Sequence, residues 1–242
     1  MKKKRQRFAE NETFPHVFQP RATFPHVEHE LKGRWSEKFF QNNNHIVFEL
    51  GCGRGEYTVH LAELYPEKNF IGIDWKGARL WRGAKTSHVN QMKNVAFLRI
   101  LIQNIQHYFD QNEVSEIWIT FPDPQPRQSR ERKRLTSPRF LTMYEAILKP
   151  GSMIHLKTDN KVLYDYSLET AQTRRYNIIT ATDDLYAFDL PDPVLNIQTT
   201  YENIFLKQGL KICYLKASPP APLQGRGEKE YNVVEATHEE GK

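Results

Sequence analysis

An α/β fold, with a mostly parallel seven-stranded sheet covered by helices on both faces, is what this 242-residue chain predicts. Three observations carry that reading. Short apolar runs alternate with helical stretches, the runs stop at Gly, Pro or Asp, and the last two runs lack a convincing long helix between them. The first strand is 46–50, ending in glycines, followed by a helix over 56–65 that Pro66 stops. The second strand is 69–74 and its helix 78–89; the third is 95–102, with Asn104 just beyond it. The fourth, 116–121, ends at Pro122, and a helix over 138–148 runs up to Pro150-Gly151. A fifth strand at 153–158 and a helix over 162–173 complete the regular alternation. The remaining strands, 178–180 and 210–215, supply an antiparallel edge.

Around this domain (46–217) lie two segments of different character. Residues 1–45 read as an arm with little regular pattern, carrying a duplicated pentapeptide, Thr13-Phe14-Pro15-His16-Val17 and Thr23-Phe24-Pro25-His26-Val27. Each copy reads as an extended anchor for its Phe, because Pro removes a backbone donor and biases its predecessor toward extended geometry. His16, His26 and His29 lack further ligands at metal-site spacing, so no metal is expected. Residues 218–242, rich in Pro, Gly and mixed charge, read as a disordered tail.

Composition narrows the class. Hydrophobic residues make up 39% and charged residues 26%, which fits a globular protein, and no apolar stretch is long enough to span a bilayer. The basic start leads into no apolar signal region, and Cys52 and Cys213 form no CxxC pair. A reducing cytoplasm is the expected location. The 34 Lys and Arg exceed the 29 Asp and Glu, giving a net charge of +5. Bases cluster at Lys2, Lys3, Lys4, Arg5 and Arg7, and again at Arg127, Arg130, Arg132, Lys133, Arg134 and Arg139. Such clusters fit either a polyanionic partner or a solvated helix face.

The segment Glu49-Leu50-Gly51-Cys52-Gly53-Arg54-Gly55, with Asp74 ending the next strand, is the most informative. Glycines after a first strand allow a tight turn against a ligand, and the later acid can accept ribose hydroxyls. Both NAD and S-adenosylmethionine satisfy those features. Glu49 tips the balance: a carboxylate at the loop repels a pyrophosphate but suits an ammonium and a sulfonium. The GxGxxG spacing also fails, because Glu56 takes its last glycine position. Asn104 offers an amide to an adenine edge. Beyond the fourth strand, prolines bracket Asp123 in Phe121-Pro122-Asp123-Pro124, and the basic run begins directly afterwards. A donor loop, a rigid carboxylate and a polyanion-binding segment thus meet at one sheet edge. The competing readings are a methyltransferase acting on another RNA base or ring atom, a small-molecule methyltransferase, an NAD-dependent oxidoreductase and a non-enzymatic RNA-binding module.

The motifs FELGCGRG (48–55), FIGID (70–74), LRILIQN (98–104), FPDPQPRQSRERKRL (121–135), LKTD (156–159) and TTYE (199–202) resemble, in order, those of the bacterial tRNA (guanine-N7)-methyltransferases. That resemblance covers roughly 45–216 and implies a Rossmann-like class I fold, S-adenosyl-L-methionine as cofactor and tRNA as partner. It implies donor binding by Glu49, Gly51, Gly53, Gly55, Asp74, Asn104 and Asp123, with Asp123 also catalytic. It implies substrate contacts by Arg127, Asp159, Thr199, Thr200, Tyr201 and Glu202, and RNA contacts by Arg130, Arg132, Lys133 and Arg134. The chain departs from the family pattern in carrying Asp74 where many members have Glu and Asn104 where many have Asp. Gln125-Pro126-Arg127 replaces a common Trp-containing version ending in Lys. The oligomeric state, monomer or homodimer, is not legible.

Overall fold

A computed structural model describes residues 2–20, 27–187 and 193–221. The second pentapeptide, up to His26, and all of the tail beyond 221 lie outside the described residues. The chain runs α1 (Lys2–Asn11), β1 (Val17–Phe18), β2 (Ile46–Leu50), α2 (Glu56–Leu64), β3 (Asn69–Ile73), α3 (Gly77–Val89), β4 (Val95–Leu98) and β5 (Val114–Thr120). It continues through α4 (Pro138–Glu145), β6 (Leu148–Thr158), α5 (Lys161–Thr173), β7 (Asn177–Thr182), α6 (Thr200–Lys207) and β8 (Cys213–Ser218). The strands form one sheet in the order β1-β4-β3-β2-β5-β6-β8-β7. β1 to β6 pair in parallel, and β8 runs antiparallel to both β6 and β7.

The α/β class is therefore as expected, and two details differ. The sheet has eight strands because the arm adds one: the short β1 pairs with β4 at the far edge. The antiparallel strand is β8, one place in from the edge, and β7 lies outside it. The eight-residue α6, whose buried residue is Glu202, separates them.

The central strands are buried on both faces, which explains their near-continuous hydrophobicity. In β2, Val47 faces a cluster with Tyr57, Phe70, Phe97 and Trp118, while Phe48 faces one with Trp35, Ile119, Tyr144 and Leu156. The described arm residues join this core. Phe14 is buried, Trp35 is fully buried, and Trp35 Nε1 donates to the Tyr108 carbonyl at 2.9 Å. The basic start forms α1, docked on α3 by Arg7 stacked over Trp81 and by Glu10, which pairs with Lys85 and accepts from Trp81 Nε1. His16 is buried against the Ala84 carbonyl and Ser87. Among the described residues no group of three or more His, Cys, Asp or Glu is placed to hold a metal, and Cys52 and Cys213 are buried free thiols.

Candidate active site

The chain leaves β2, builds outward through β3 and β4, then returns to place β5 on the other side of β2. Such a reversal opens a crevice beyond the carboxyl ends of the strands, where α/β sheets bind ligands. A cleft of about 630 Å³ lies there, within the usual size of a cofactor pocket, roughly 300–1,000 Å³. Its walls come from successive strand ends: Glu49 near the end of β2 with Gly51 and Gly53 after it, Asp74 after β3, Phe121 to Gln125 after β5 and Asp159 after β6.

The glycine loop is pinned to β3, since the N–H groups of Gly51 and Cys52 both donate to the Ile73 carbonyl, at 2.8 and 3.1 Å. Gly53 has φ +55°, and its N–H donates to Asp74 Oδ2 at 2.9 Å. Lys76 N–H donates to Asp74 Oδ1 at 2.7 Å. Two backbone donors thus fix the Asp74 carboxylate while each oxygen keeps a lone pair for a further donor. Gly55 packs differently from Gly51 and Gly53. It does not line the cleft, and a Cβ there would lie 2.5 Å from the Phe97 ring, so it permits close packing of loop, α3 and β4.

Glu49 sits at the cleft floor, 3% exposed. Its carboxylate accepts from Thr58 N–H at 2.8 Å, from the Thr58 hydroxyl, and from the Thr120 hydroxyl at 2.7 Å. Burial nevertheless pushes its pKa up to about 7, against the pull of these hydrogen bonds and with help from the Asp74 charge. The buried carboxyl is therefore tuned by whether a cation reaches it. Thr58 and Thr120 are functional partners that motif reading missed.

Asp123 is exposed at the rim, in a turn bounded by Phe121 (φ 47°) and Gln125 (φ 46°). Left-handed non-glycine residues cost on the order of 1–3 kcal/mol each and persist where surrounding structure enforces them. One enforcing contact is Arg134. This residue, expected among the RNA contacts, is 7% exposed; its Nε and Nη2 point at the Gln125 carbonyl, and its guanidinium lies 4.3 Å over the Tyr166 ring. The 3₁₀ turn Gln128–Lys133 ends just before it, and the extended backbone at Arg134 turns the side chain inward. Arg130 and Arg132 are exposed on that turn, Arg127 is exposed at its start outside the cleft, and Lys133 lines the cleft.

The remaining expected residues divide similarly. Asp159, Thr199 and Tyr201 line the cleft. Burial raises the Asp159 carboxyl above the usual carboxylate range. Thr199 caps α6 by accepting from Glu202 N–H, and Tyr201 is 42% exposed. Thr200 and Glu202 do not line it. Glu202 is fully buried 2.8 Å from Lys157 Nζ and accepts from the Tyr186 hydroxyl, so its carboxylate is occupied inside the protein. Lys157, also fully buried, donates to the carbonyls of Leu195 and Ile197 as well, anchoring the segment that leads into α6. Asn104 sits half-buried on a 3₁₀ turn, Ile102–His107, and does not line the cleft. On that side the wall is made instead by Trp75, Lys76 and Arg79, and the Trp-Lys pair directly after Asp74 was the available signal.

Two carboxylates at the floor, with Glu56 beside the loop, oppose a pyrophosphate and suit a cationic ligand. Comparison with known proteins agrees. Residues 43–215 match the family described as "Putative methyltransferase". A tRNA (guanine-N(7)-)-methyltransferase of Christiangramia forsetii is 50% identical over 217 residues, spanning 89% of this chain and 97% of that protein. One from Bacteroides thetaiotaomicron is 46% identical over 220 residues, spanning 90% and 86%. Among solved structures, the 16S rRNA methyltransferase KamB superposes with a TM-score of 0.60 at 13% identity, over 85% of this chain and 99% of that one. A 16S rRNA (adenine(1408)-N(1))-methyltransferase from Catenulisporales acidiphilia, solved with SAM, gives 0.57 at 14% identity, over 81% and 95%. At that identity the two structures speak to the fold alone, whereas the sequence relatives settle kinship: this chain belongs to the tRNA (guanine-N(7)-)-methyltransferase family.

Proposed function

We propose that this protein methylates N7 of a guanosine in tRNA using S-adenosyl-L-methionine, and that the guanosine is the one the family resemblance implies, position 46 of the variable loop. The observation that carries the reading is one cleft lined by Asp74, Asp123 and Asp159, each beyond the end of a different parallel strand. The residues present suit the donor. Asp74, held by two backbone N–H groups, has lone pairs left for two ribose hydroxyls, and Glu49 lies where positive charge offsets its burial. When bound, S-adenosyl-L-methionine supplies an electrophilic methyl group and leaves as S-adenosyl-L-homocysteine.

Guanine N7 carries a free lone pair and no proton, so the chain needs no strong base. Its task is to hold the purine in line with the methyl group, an orientation effect. Asp123, rigid at the rim, orients the acceptor and stabilises the positive charge the purine gains. Asp159 accepts from guanine N1–H and N2–H, a pattern adenine does not offer. The purine ring packs against Tyr201, and Arg127, Arg130, Arg132 and Lys133 hold phosphates, a contribution that weakens as salt rises. A cytoplasmic location follows from the tRNA substrate.

The test is transfer from labelled S-adenosyl-L-methionine to tRNA, followed by nucleoside analysis and mapping of the modified position. The expected product is 7-methylguanosine at position 46. Label in another nucleoside, or none in tRNA, overturns the reading.

A further inference from the structure

The glycine loop and the start of α6 form different walls of the cleft, 144 residues apart in sequence, and one side chain joins them. Glu56, the first residue of α2, accepts the Thr200 N–H on Oε2 at 3.0 Å and the Thr200 hydroxyl on Oε1 at 2.9 Å. This grip satisfies one of the N–H groups that the first turn of a helix leaves without an intrahelical partner. It also takes up the Thr200 side chain, although Thr200 falls within the substrate-contacting stretch that the family resemblance implies.

The placement of α6 depends on such polar ties. The helix has eight residues, its buried residue is Glu202, and Tyr201 and Ile204 are 42% and 43% exposed. A helix that short is not stable on its own; Phe205 and Leu206, both partly buried, pack it against the core, and the polar ties fix where its first turn lies. Its Phe205 ring meets Phe121 at 5.8 Å, so the same helix abuts the turn that carries Asp123. The Lys157–Glu202 pair sets its depth. The Glu56–Thr200 pair sets the position of its first turn, where Thr199 and Tyr201 enter the cleft.

We propose that Glu56 is a positioning residue for the transfer: through Thr200 it holds the acceptor wall at a fixed distance from the donor loop. The inference rests on the function proposed above and assigns Glu56, at the cleft wall, a role exerted through Thr200. Losing the tie lets Thr199 and Tyr201 move relative to Asp74 and Asp123. A misplacement of about 1 Å costs up to about a hundredfold in rate.

The experiment measures kcat and KM for tRNA, the donor dissociation constant and Tm for wild type, Glu56→Ala, Glu56→Gln, Thr200→Val and the Glu56→Ala/Thr200→Val double variant. Glu56→Ala is expected to lower kcat at least tenfold with Tm within a few degrees, and to weaken donor binding through its lost charge in the cleft; Thr200→Val, which keeps that charge, should lower kcat severalfold while donor affinity stays within about twofold. Glu56→Gln keeps one acceptor oxygen and should recover part of the rate. The double variant should be no slower than Glu56→Ala, because both changes break one link. A kcat for Glu56→Ala within twofold of wild type overturns the proposal. So do multiplicative effects in the double variant, or losses of donor binding and Tm in Thr200→Val that match its loss of rate. Wild type assayed alongside separates the two readings: if it forms no 7-methylguanosine, the proposed function has failed, whereas an active wild type with an indifferent Glu56→Ala variant condemns only the tie.

Discussion

Donor binding should depend on pH through Glu49. Burial raises this carboxyl to about 7, and it lies at the cleft floor with its oxygens accepting from Thr58 and Thr120. A cationic ligand stabilises the ionised form, so binding below neutrality must expel a proton. A group titrating at about 7 is roughly one-tenth ionised at pH 6 and about three-quarters ionised at pH 7.5. When the competent form is only that fraction of the population, apparent affinity falls in proportion, here about eightfold between the two pH values. Calorimetry in buffers of different ionisation enthalpy should show about 0.9 proton released per donor bound at pH 6 and a few tenths at pH 7.5. Glu49→Gln should bind more weakly and with a flat profile. Asp159→Asn, which removes the other upward-shifted carboxyl in the cleft, should keep the slope. Wild-type affinity independent of pH without proton release, or a slope surviving in Glu49→Gln, would refute the argument.

Elsewhere the same physics gives sharper contrasts. Asp123→Ala should reduce transfer to near background without unfolding the protein, since the side chain is exposed; single-turnover assays with a melting curve check this. Arg130→Glu with Arg132→Glu should weaken tRNA binding and flatten its salt dependence by about two contacts, leaving donor affinity unchanged in a titration. Arg134→Glu should behave differently, lowering Tm and disturbing donor and tRNA binding together, because it breaks the brace on the Asp123 turn. Lys157→Ala should cost about 3–5 kcal/mol in denaturant unfolding by stranding the buried Glu202 carboxylate. Acid should expose a fifth effect. Burial alone would raise Glu116, but the hydrogen bond and charge of His155, with Lys68, hold it at about 2. Its stabilisation is complete above pH 4.5 and lost as pH falls toward 2, so Glu116→Gln should shrink the acid-induced loss of stability.

The donor side of the cleft was legible because its signals are local. Gly51, Gly53 and Asp74 lie within two consecutive strand ends, and the parallel sheet brings those ends together whatever the rest of the chain does. Gly55 belongs to the same motif, yet its reason for being glycine is Phe97, more than forty residues away on a neighbouring strand. Asn104 is harder to place from sequence: strand β4 stops at Leu98, earlier than its apolar pattern implies, and Asn104 lies on the 3₁₀ turn that follows, outside the cleft lining.

The acceptor wall was less legible, because charge in a sequence does not say which way a side chain turns. Arg134 and Arg132 are two residues apart in one basic run, but one braces a strained turn from inside and the other faces solvent. Glu202 and Tyr201 are adjacent, and helical geometry sends one to Lys157 and leaves the other at the cleft. What organises this wall is a set of pairings, two across long sequence separations, Lys157 with Glu202 and Glu56 with Thr200, and one more local, Arg134 with Gln125. Each uses a charged group to fix backbone that carries a cleft residue. Removing the charge at the partly exposed Glu56 should therefore change reaction geometry before it changes the fold, whereas breaking the buried Lys157–Glu202 pair, or forcing Gly55→Ala against Phe97, should disturb the fold first.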